Sequence, residues 1–333
     1  MALKVVNATP LGETPYDQEV MQRIGAEYVL KYCPTEDDLI ATAGDADAVI
    51  TVMEPFTARV IENLKSCKVI AVSAIGYDLV DVPTATKRGI CVCNAPEYCL
   101  DEMSDHAMAL LLACARRIVS RNKYIKAADT DHMPGGPVSK LRGQTLGLVG
   151  FGRIPRTLVR KAQGFGLKVI AHDPYVSRAT VIGYDVELVP TLDALLERAD
   201  FVSVHAALVP ENRHMFGLAQ FKRMKPTACF INTARGGLVD EDALYTALNE
   251  GHIAGAGLDV TEPEMNFESP LLTLDNLIYT GHFGFYSDTS IAELRRFPID
   301  EVERVLGLGQ WPYGLVNPQV KPTFAERWGK TLV

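Results

Sequence analysis

The sequence predicts an α/β fold made of two doubly wound domains, each built on a parallel sheet. Short apolar runs alternate with amphipathic helical patterns through both halves of the chain, which is typical of parallel sheets covered by helices on both faces. The length of 333 residues suffices for about two domains of ordinary size. A glycine turn that begins at Gly150, between an apolar run and a helical pattern, marks the second half.

The composition limits the class of protein. Hydrophobic residues make up 47% of the chain and charged residues 22%, as in ordinary globular proteins. The formal net charge of −8 argues against nucleic acid or an anionic membrane surface as a partner. The start MALKVVNATP enters a strand-like run directly, and no stretch approaches the ~20 apolar residues of a membrane span. We therefore expect a cytoplasmic protein with no nucleic acid and no membrane partner.

Seven cysteines, an odd number, are scattered along the chain. Cys91 and Cys93 alternate on a predicted strand and so point the same way. No second cysteine pair or suitably spaced histidine accompanies them, so they do not make a metal site. We expect buried, reduced thiols and no metal.

The first 100 residues are predicted to form one complete α/β unit. Its strands are the apolar runs VVNA, EYVLKY, DAVITV, KVIAVS and ICVCN. Its helices are the segments PYDQEVMQRIGA, TEDDLIATAG, FTARVIENL and PTATKRG. Several of these helices begin at a threonine or a proline, which are common helix start signals.

Residues 101–118 are predicted to form a long helix, with acids in its first turn and arginines at its end. Its apolar surface is wider than one stripe, so we expect burial on both sides, either between domains or in a homodimer contact. His106 on this helix is expected to be a packed core or interface histidine rather than a ligand. The stretch 125–142 is polar and contains a Pro-Gly-Gly-Pro break, so it is predicted to be a loop.

A second α/β series is predicted from residue 145. Strands are expected at 145–150, 168–172, 201–205, 228–232, 254–258 and 277–280. Helices are expected at 153–164, 191–198, 217–224 and 240–250. A final helix at roughly 287–306 precedes a tail, 307–333.

The stretch 145–173 reads as strand, glycine turn, helix, strand and acid, which is the order of a dinucleotide-binding unit. Gly150 permits the tight turn, and Gly152 lets the backbone approach a pyrophosphate at the helix N-terminus. Pro155 replaces the third glycine of the fingerprint, and a first helical turn tolerates proline. Asp173 can accept hydrogen bonds from an adenosine ribose and would repel a 2′-phosphate. The unit therefore predicts NAD as the cofactor, in preference to NADP.

Polar stretches follow four further predicted strands. They are residues 74–78, 232–237, 259–264 and 281–285. Because the carboxyl ends of parallel strands lie at the same edge of a sheet, the last three should lie on the side of the dinucleotide.

An arginine, a carboxylate and a histidine form a chemically coherent set at this edge. Arg235 can clamp a substrate carboxylate with two parallel hydrogen bonds. His282 can exchange a proton near neutral pH, and a carboxylate can orient its ring. The residues alone leave open whether that carboxylate is Glu262 or Glu264.

At this point the sequence resembles the D-isomer-specific 2-hydroxyacid dehydrogenases, along essentially the whole chain. The resemblance rests on IGYDLVDV, NAP at 94–96, SDHAMALLLACARR, VGFGRI with Asp173, NTARGGLVDE, GLDVTEPE and the histidine at 282. The run HFGFYSD is similar to the branch that contains the carboxy-terminal binding proteins, where a tryptophan is usual in place of Phe285.

The family resemblance implies a flavodoxin-like substrate domain and a Rossmann NAD-binding domain with a cleft between them. The substrate domain would comprise 1–101 plus 287–333, and the NAD-binding domain 102–286. The catalytic residues implied are Arg235, Glu264 and His282. Glu264 is chosen because the family's glutamate lies five residues after the aspartate of the LDV motif.

Ligand contacts are implied by the same resemblance. The backbone N–H groups of Ile75 and Gly76 would hold the substrate carboxylate together with Arg235, and Asp259 would bind the nicotinamide carboxamide. The other cofactor contacts implied are Ser104, Gly150, Gly152, Arg153, Ile154, Asp173, His205, Ala206, Thr233, Ala234 and His282. His205 is expected to contact the cofactor through its backbone rather than to transfer protons. Besides Pro155, the chain departs from the family at Gly281, where proline usually precedes the histidine.

The resemblance implies an NAD-dependent oxidoreductase that interconverts a small D-2-hydroxy acid and its 2-keto acid, as a homodimer. His282 would give a proton to the forming alkoxide, Arg235 would hold the carboxylate, and an ionised Glu264 would favour the protonated ring. The alternative is an NAD(H)-sensing regulatory protein of the co-repressor kind. Turnover of 2-keto acids discriminates between the two.

Overall fold

The computed structural model describes residues 2–127 and 138–333, and the chain divides into two compact units. The first unit comprises Met1–Tyr98 and Ser287–Val333, and the second comprises Cys99–Tyr286. The first division lies three residues before the predicted one, which was placed after residue 101. The reason is that the helix beginning at Leu100 packs against strands of the second unit, so its whole first turn belongs there.

The first unit contains a five-stranded parallel sheet. Its strands are β1 (Leu3–Asn7), β2 (Ala26–Leu30), β3 (Ala48–Thr51), β4 (Val69–Val72) and β5 (Cys91–Asn94). Their order in the sheet is β2-β1-β3-β4-β5, which is the flavodoxin-like order. Every residue of β3, β4 and β5 is buried, as expected for strands covered on both faces.

Four helices cover this sheet along the first segment of the chain. They are α1 (Pro15–Ile24), α2 (Glu36–Ala43), α3 (Ala58–Asn63) and α4 (Val82–Lys87). The predicted start signals act as caps, because the Thr14 and Thr35 side chains accept from backbone N–H groups of α1 and α2. Asp81 does the same for α4, whose first turn carries a proline.

The second unit begins with two consecutive helices, α5 (Leu100–Arg116) and α6 (Ile118–Lys126). The sequence predicted the first but not the second. Arg117 separates them in a left-handed conformation with φ of 51°. Helix α6 buries none of its residues against the chain, so it lacks the apolar stripe on which the prediction of helices relied. Of the predicted loop 125–142, residues 128–137 lie outside the described part of the structure.

A seven-stranded parallel sheet forms the centre of the second unit. Its strands are β6 (Thr145–Val149), β7 (Lys168–His172), β8 (Glu187–Leu188), β9 (Phe201–Val204), β10 (Cys229–Asn232), β11 (Gly255–Leu258) and β12 (Leu277–Tyr279). Their order, β12-β11-β10-β9-β6-β7-β8, is the Rossmann order with one further strand at the edge. The sequence missed β8, which has only two residues and therefore no readable alternation.

The helices of the second sheet agree with the predicted set to within a few residues. They are α7 (Arg153–Gly164), α8 (Leu192–Arg198), α9 (Leu218–Arg223) and α10 (Glu241–Asn249). Helix α5 packs against α7, β10 and β11, which explains its thick apolar body. The seven cysteines are free thiols, and all except the partly buried Cys114 are buried.

The chain returns to the first unit through α11 (Asp288–Val302), a π-helical segment (Glu303–Leu308) and α12 (Lys321–Trp328). Helix α12 lies in the predicted tail, 307–333, and was not predicted. Asn317 fastens this tail to β5, since its side chain accepts from Val92 N and donates to Ile90 O. Among the described residues, no helix has both the length and the apolar character to cross a membrane.

Glu301 on α11 predicts a pH-dependent stability. The residue is 2% exposed, and burial raises its pKa to about 7, although Gly314 N–H and the Arg304 charge act in the opposite direction. A raised pKa stabilises the fold below the unfolded value of 4.5, and this contribution is lost as the pH rises through about 7. At pH 8, Glu301→Gln should therefore be more stable than the unmodified chain, by up to about 3 kcal/mol.

Thermal midpoints at pH 5 and pH 8 measure this effect. The difference between Glu301→Gln and the unmodified chain should be small at pH 5 and clear at pH 8. Glu326→Gln, which removes the same charge from an exposed position on α12, is the control. An equal difference at both pH values for Glu301→Gln contradicts the prediction.

Candidate active site

The turn between β6 and α7 requires glycine at position 150. Gly150 has a φ of +91°, a region that L side chains rarely adopt. A Cβ there would lie 3.0 Å from the His205 carbonyl oxygen and from Ala206 N. The turn therefore lies directly against the end of β9, where His205 N donates to Val149 O at 2.8 Å.

The start of α7 offers an open anion site. Gly152 precedes the helix, and a Cβ at this position would meet nothing within 4 Å. Arg153 and Ile154 form the first helical positions, whose N–H groups have no helical acceptor. Pro155 is buried in this first turn, where its missing N–H costs no helical hydrogen bond. The site thus has the backbone donors and the space that a pyrophosphate requires.

Asp173, directly after β7, is held toward the glycine turn. Its Oδ2 accepts from Phe151 N at 2.8 Å and its Oδ1 accepts from Tyr175 N at 2.9 Å. Each carboxylate oxygen has a second lone pair for a ribose hydroxyl. The following residues, Pro174 and Tyr175, carry no positive charge that would suit a 2′-phosphate.

Thr233 provides an independent observation that fits a bound cofactor. It follows β10, is 4% exposed, and its Oγ1 has no hydrogen-bond partner among the described residues. A buried hydroxyl without a partner is costly, so an external ligand atom is its natural partner. Together with Gly152 and Asp173, Thr233 makes the second unit fit NAD.

Arg235 is held by a buried asparagine at the end of β10. Asn232 is fully buried; its Nδ2 donates to Arg235 O at 2.9 Å, and its Oδ1 accepts from Ala234 N at 3.0 Å. A Cβ on Gly236 would lie 2.1 Å from the Thr261 carbonyl carbon, so only glycine fits there. The arginine loop consequently packs directly against the loop that follows β11.

His282 and Glu264 come together at the ends of β12 and β11. His282 Nδ1 lies 3.3 Å from Glu264 Oε2, and both side chains are about one-third exposed or less. Glu262, the other candidate, is engaged elsewhere, with Arg213 at 2.8 Å and His214 at 3.0 Å. The geometry therefore pairs Glu264, and not Glu262, with His282.

The backbone before His282 explains the departure at Gly281. Gly281 and His282 have φ values of 71° and 65°, two consecutive left-handed conformations. Proline fixes φ near −65°, so it cannot occupy position 281 in this conformation. The path of this loop therefore excludes proline at 281 and favours glycine.

Asp259, directly after β11, is enclosed by the loop that follows β12 and by α5. It is fully buried, and its carboxylate accepts from Thr280 Oγ1 at 2.6 Å and from the backbone N–H groups of Phe283 and Gly284 at 3.0 Å. His106 Nε2 lies 3.3 Å from Oδ1. Burial alone would raise the pKa of Asp259, but these donors outweigh burial and lower the pKa to about 2. The contact of Asp259 with the nicotinamide carboxamide stays a prediction.

Two other expected cofactor residues are also held within the unit. Ser104 is fully buried, where its hydroxyl donates to Asp101 O and accepts from Lys161 Nζ at 2.7 Å. Burial lowers the pKa of His205 to about 4, and its Nε2 lies 2.9 Å from Ser203 Oγ. His205 is therefore neutral near pH 7 and poorly suited to proton transfer, whereas its backbone borders the glycine turn.

Ile75 and Gly76 lie in the first unit, after β4. Asn94 Nδ2 donates to Ile75 O at 2.6 Å, and Ala95 N donates to Ala74 O at 3.0 Å. The end of β5 thus fastens the loop at 74–76. Sequence reasoning gave Asn94 and Asn232 no role of their own, although each is a polar residue that ends an otherwise apolar strand.

Comparisons with known proteins show the family to which the chain belongs. Residues 108–284 match the family model of the D-isomer specific 2-hydroxyacid dehydrogenase, NAD binding domain. A D-3-phosphoglycerate dehydrogenase of Methanocaldococcus jannaschii is 36% identical over 98% of this chain, which spans only 62% of that protein. A glyoxylate reductase of Korarchaeum cryptofilum is 39% identical over 86% of this chain and 87% of its own length.

Solved structures with a similar fold include enzymes of the same kind. The crystal structure of a glyoxylate reductase from Paecilomyes thermophila matches with a TM-score of 0.86 at 26% identity, covering 96% of this chain and 99% of that one. None of these named relatives is a carboxy-terminal binding protein, so that branch stays a prediction. The chain belongs to the D-isomer specific 2-hydroxyacid dehydrogenases, a family of NAD-dependent oxidoreductases.

Proposed function

We propose that this chain reduces a small 2-keto acid to the D-2-hydroxy acid with NADH, and catalyses the reverse oxidation with NAD. The observation that carries the proposal is the 3.3 Å pair of His282 and Glu264 at the strand ends of the NAD-binding unit. Beside it, the loop that carries Arg235 packs against the 259–264 segment. An acid–base pair and a carboxylate clamp are the groups that this reaction requires.

Each of the three side chains has one role in the proposal. Bound NADH supplies the hydride. His282, protonated, gives a proton to the oxygen of the substrate carbonyl, and Glu264 stabilises the protonated ring through their contact. Arg235 binds the substrate carboxylate and adds positive charge beside the carbonyl, where negative charge develops.

The substrate-binding role of the first unit is part of the proposal. The loop with Ile75 and Gly76 lies at the carboxyl end of β4, where ligands of such sheets bind, and Asn94 holds it in place. Backbone N–H groups of this loop are assigned to the substrate carboxylate. Cytoplasmic location and a homodimer complete the proposal. The dimer is supported by Ile118, Val119 and Ile125 on α6, which are 54%, 48% and 74% exposed.

The substrate class is proposed to be a small, unphosphorylated 2-keto acid such as glyoxylate. The glyoxylate reductase relative matches this chain over 87% of its own length, whereas the phosphoglycerate dehydrogenase matches over 62% of its length. Residues 53–55, in the loop that follows β3 of the first unit, contain no lysine or arginine to hold a phosphate.

A panel of 2-keto acids with NADH tests the function. Glyoxylate, pyruvate, hydroxypyruvate and phosphohydroxypyruvate are compared by kcat/KM from the loss of NADH absorbance. We expect turnover of the small unphosphorylated acids and weak or no turnover of the phosphorylated one. If NADH binds and no keto acid is reduced, the NAD(H)-sensing regulatory alternative replaces the proposal.

His282→Ala should lose about 10²- to 10⁴-fold in kcat, because the general acid is removed. NADH binding, followed by fluorescence titration, should stay within about threefold, since the pyrophosphate and ribose sites lie at Gly152 and Asp173. Retained turnover in this variant is incompatible with the proposed mechanism.

Glu264→Gln should lower kcat for keto-acid reduction about 10-fold, because the carboxylate that lies 3.3 Å from His282 Nδ1 no longer stabilises the protonated ring. Glu262→Gln is the matched control, because Glu262 pairs with Arg213 and His214. A loss of kcat produced by Glu262→Gln and not by Glu264→Gln would reverse the assignment.

A further inference from the structure

His106 lies on α5 and contacts the ends of β11 and β12. Its Nε2 is 2.8 Å from Thr280 Oγ1 and 3.3 Å from Asp259 Oδ1. The single hydroxyl hydrogen of Thr280 has two acceptors in reach, Asp259 Oδ1 at 2.6 Å and Leu258 O at 3.3 Å, and the closer, charged oxygen is the stronger acceptor. The Thr280 oxygen therefore accepts from His106, which means that Nε2 carries a hydrogen and donates it.

Asp259, the shared partner, also holds the loop that carries His282. The N–H groups of Phe283 and Gly284 donate to its carboxylate, and His282 N donates to its backbone oxygen. The backbone N–H groups of three consecutive residues, 282 to 284, thus all donate to Asp259. His282 adopts a φ of 65°, which a non-glycine residue keeps only where its surroundings impose it. The hydrogen bonds to Asp259 impose this conformation on His282.

The 281–284 loop also packs closely against α5. A Cβ at Gly284 would lie 2.8 Å from Asp259 Oδ2 and 3.2 Å from both His106 Cδ2 and Met103 Sδ. The loop is therefore in direct contact with the histidine ring and with α5. A displaced ring would therefore either press against the loop or leave a gap beside it.

We propose that His106 is a positioning residue of the active site. Its Nε2–H orients the Thr280 hydroxyl and the Asp259 carboxylate, and through them fixes the 281–284 loop so that His282 faces Glu264. The inference rests on the proposed function, in which His282 is the proton donor. It goes beyond that function by giving α5 a part in the reaction through residues 259 and 280.

Two substitutions at His106 distinguish the effect of its hydrogen-bond donor from the effect of its side-chain volume. His106→Leu keeps much of the volume and removes the donor, whereas His106→Gln supplies an amide N–H in place of Nε2–H. For His106→Leu we expect kcat for keto-acid reduction to fall about 10- to 100-fold, because His282 is displaced from its reactive position. The Kd for NADH should stay within about twofold, and His106→Gln should recover most of the kcat.

Met108→Ala is the matched control for a general loss of packing. Met108 is a buried residue on the same helix, is 5% exposed, and has no part in the Asp259 network. It should lower the thermal midpoint and leave kcat within about twofold. If His106→Gln is as impaired as His106→Leu, or if Met108→Ala loses as much kcat, the positioning role is overturned.

Hydrogen exchange of the cofactor-free protein tests the loop independently of turnover. The amides of Phe283 and Gly284 should exchange faster in His106→Leu, and at the unmodified rate in His106→Gln and Met108→Ala. Unchanged exchange in His106→Leu overturns the proposal. Faster exchange in a chain that reduces no keto acid supports the anchoring of the loop and contradicts the proposed function instead.

Discussion

One buried carboxylate, that of Asp259, holds together the part of the NAD-binding unit where the chemistry is proposed. It has no exposed surface and yet stays ionised, because donors from α5, from the end of β12 and from the following loop surround it. An isolated charge at this depth would cost several kcal/mol. Separating the loop from Asp259 would therefore leave a buried charge poorly paired, and this cost keeps His282 in its left-handed conformation.

In the same unit, neighbouring loops approach one another so closely that a side chain at the point of contact would not fit. Neighbouring parallel strands lie about 4.8 Å apart, so the loops after them compete for the same space at the sheet edge. Gly150 lets the turn after β6 touch the end of β9, and Gly236 lets the Arg235 loop touch residue 261. Three chemically different groups, the cofactor turn, the arginine and the acid–base pair, consequently share one edge of the sheet.

Much of this arrangement could be predicted from local pattern. Fully apolar runs such as those of β4 and β10 identified the buried strands, and the glycines with Asp173 identified the dinucleotide unit. Helix α6 and strand β8 were missed, because one has no buried face and the other has two residues. The contributions of Asn94 and Asn232 were missed as well, since a polar strand end does not show which loop it will hold.

The sequence by itself determined the order of the elements, the class of fold and the residue types at the strand ends, because these depend on periodicity and on neighbouring residues. Only the tertiary structure showed that Glu264 contacts His282 while Glu262 pairs elsewhere, that residue 281 has a conformation which proline cannot adopt, and that Asp259 lies enclosed by its own loop. It also joined His106 to Thr280, 174 positions away in the chain. Such pairs arise from the register of parallel strands and the packing of a helix across them. Neither can be predicted from the spacing of residues along the sequence.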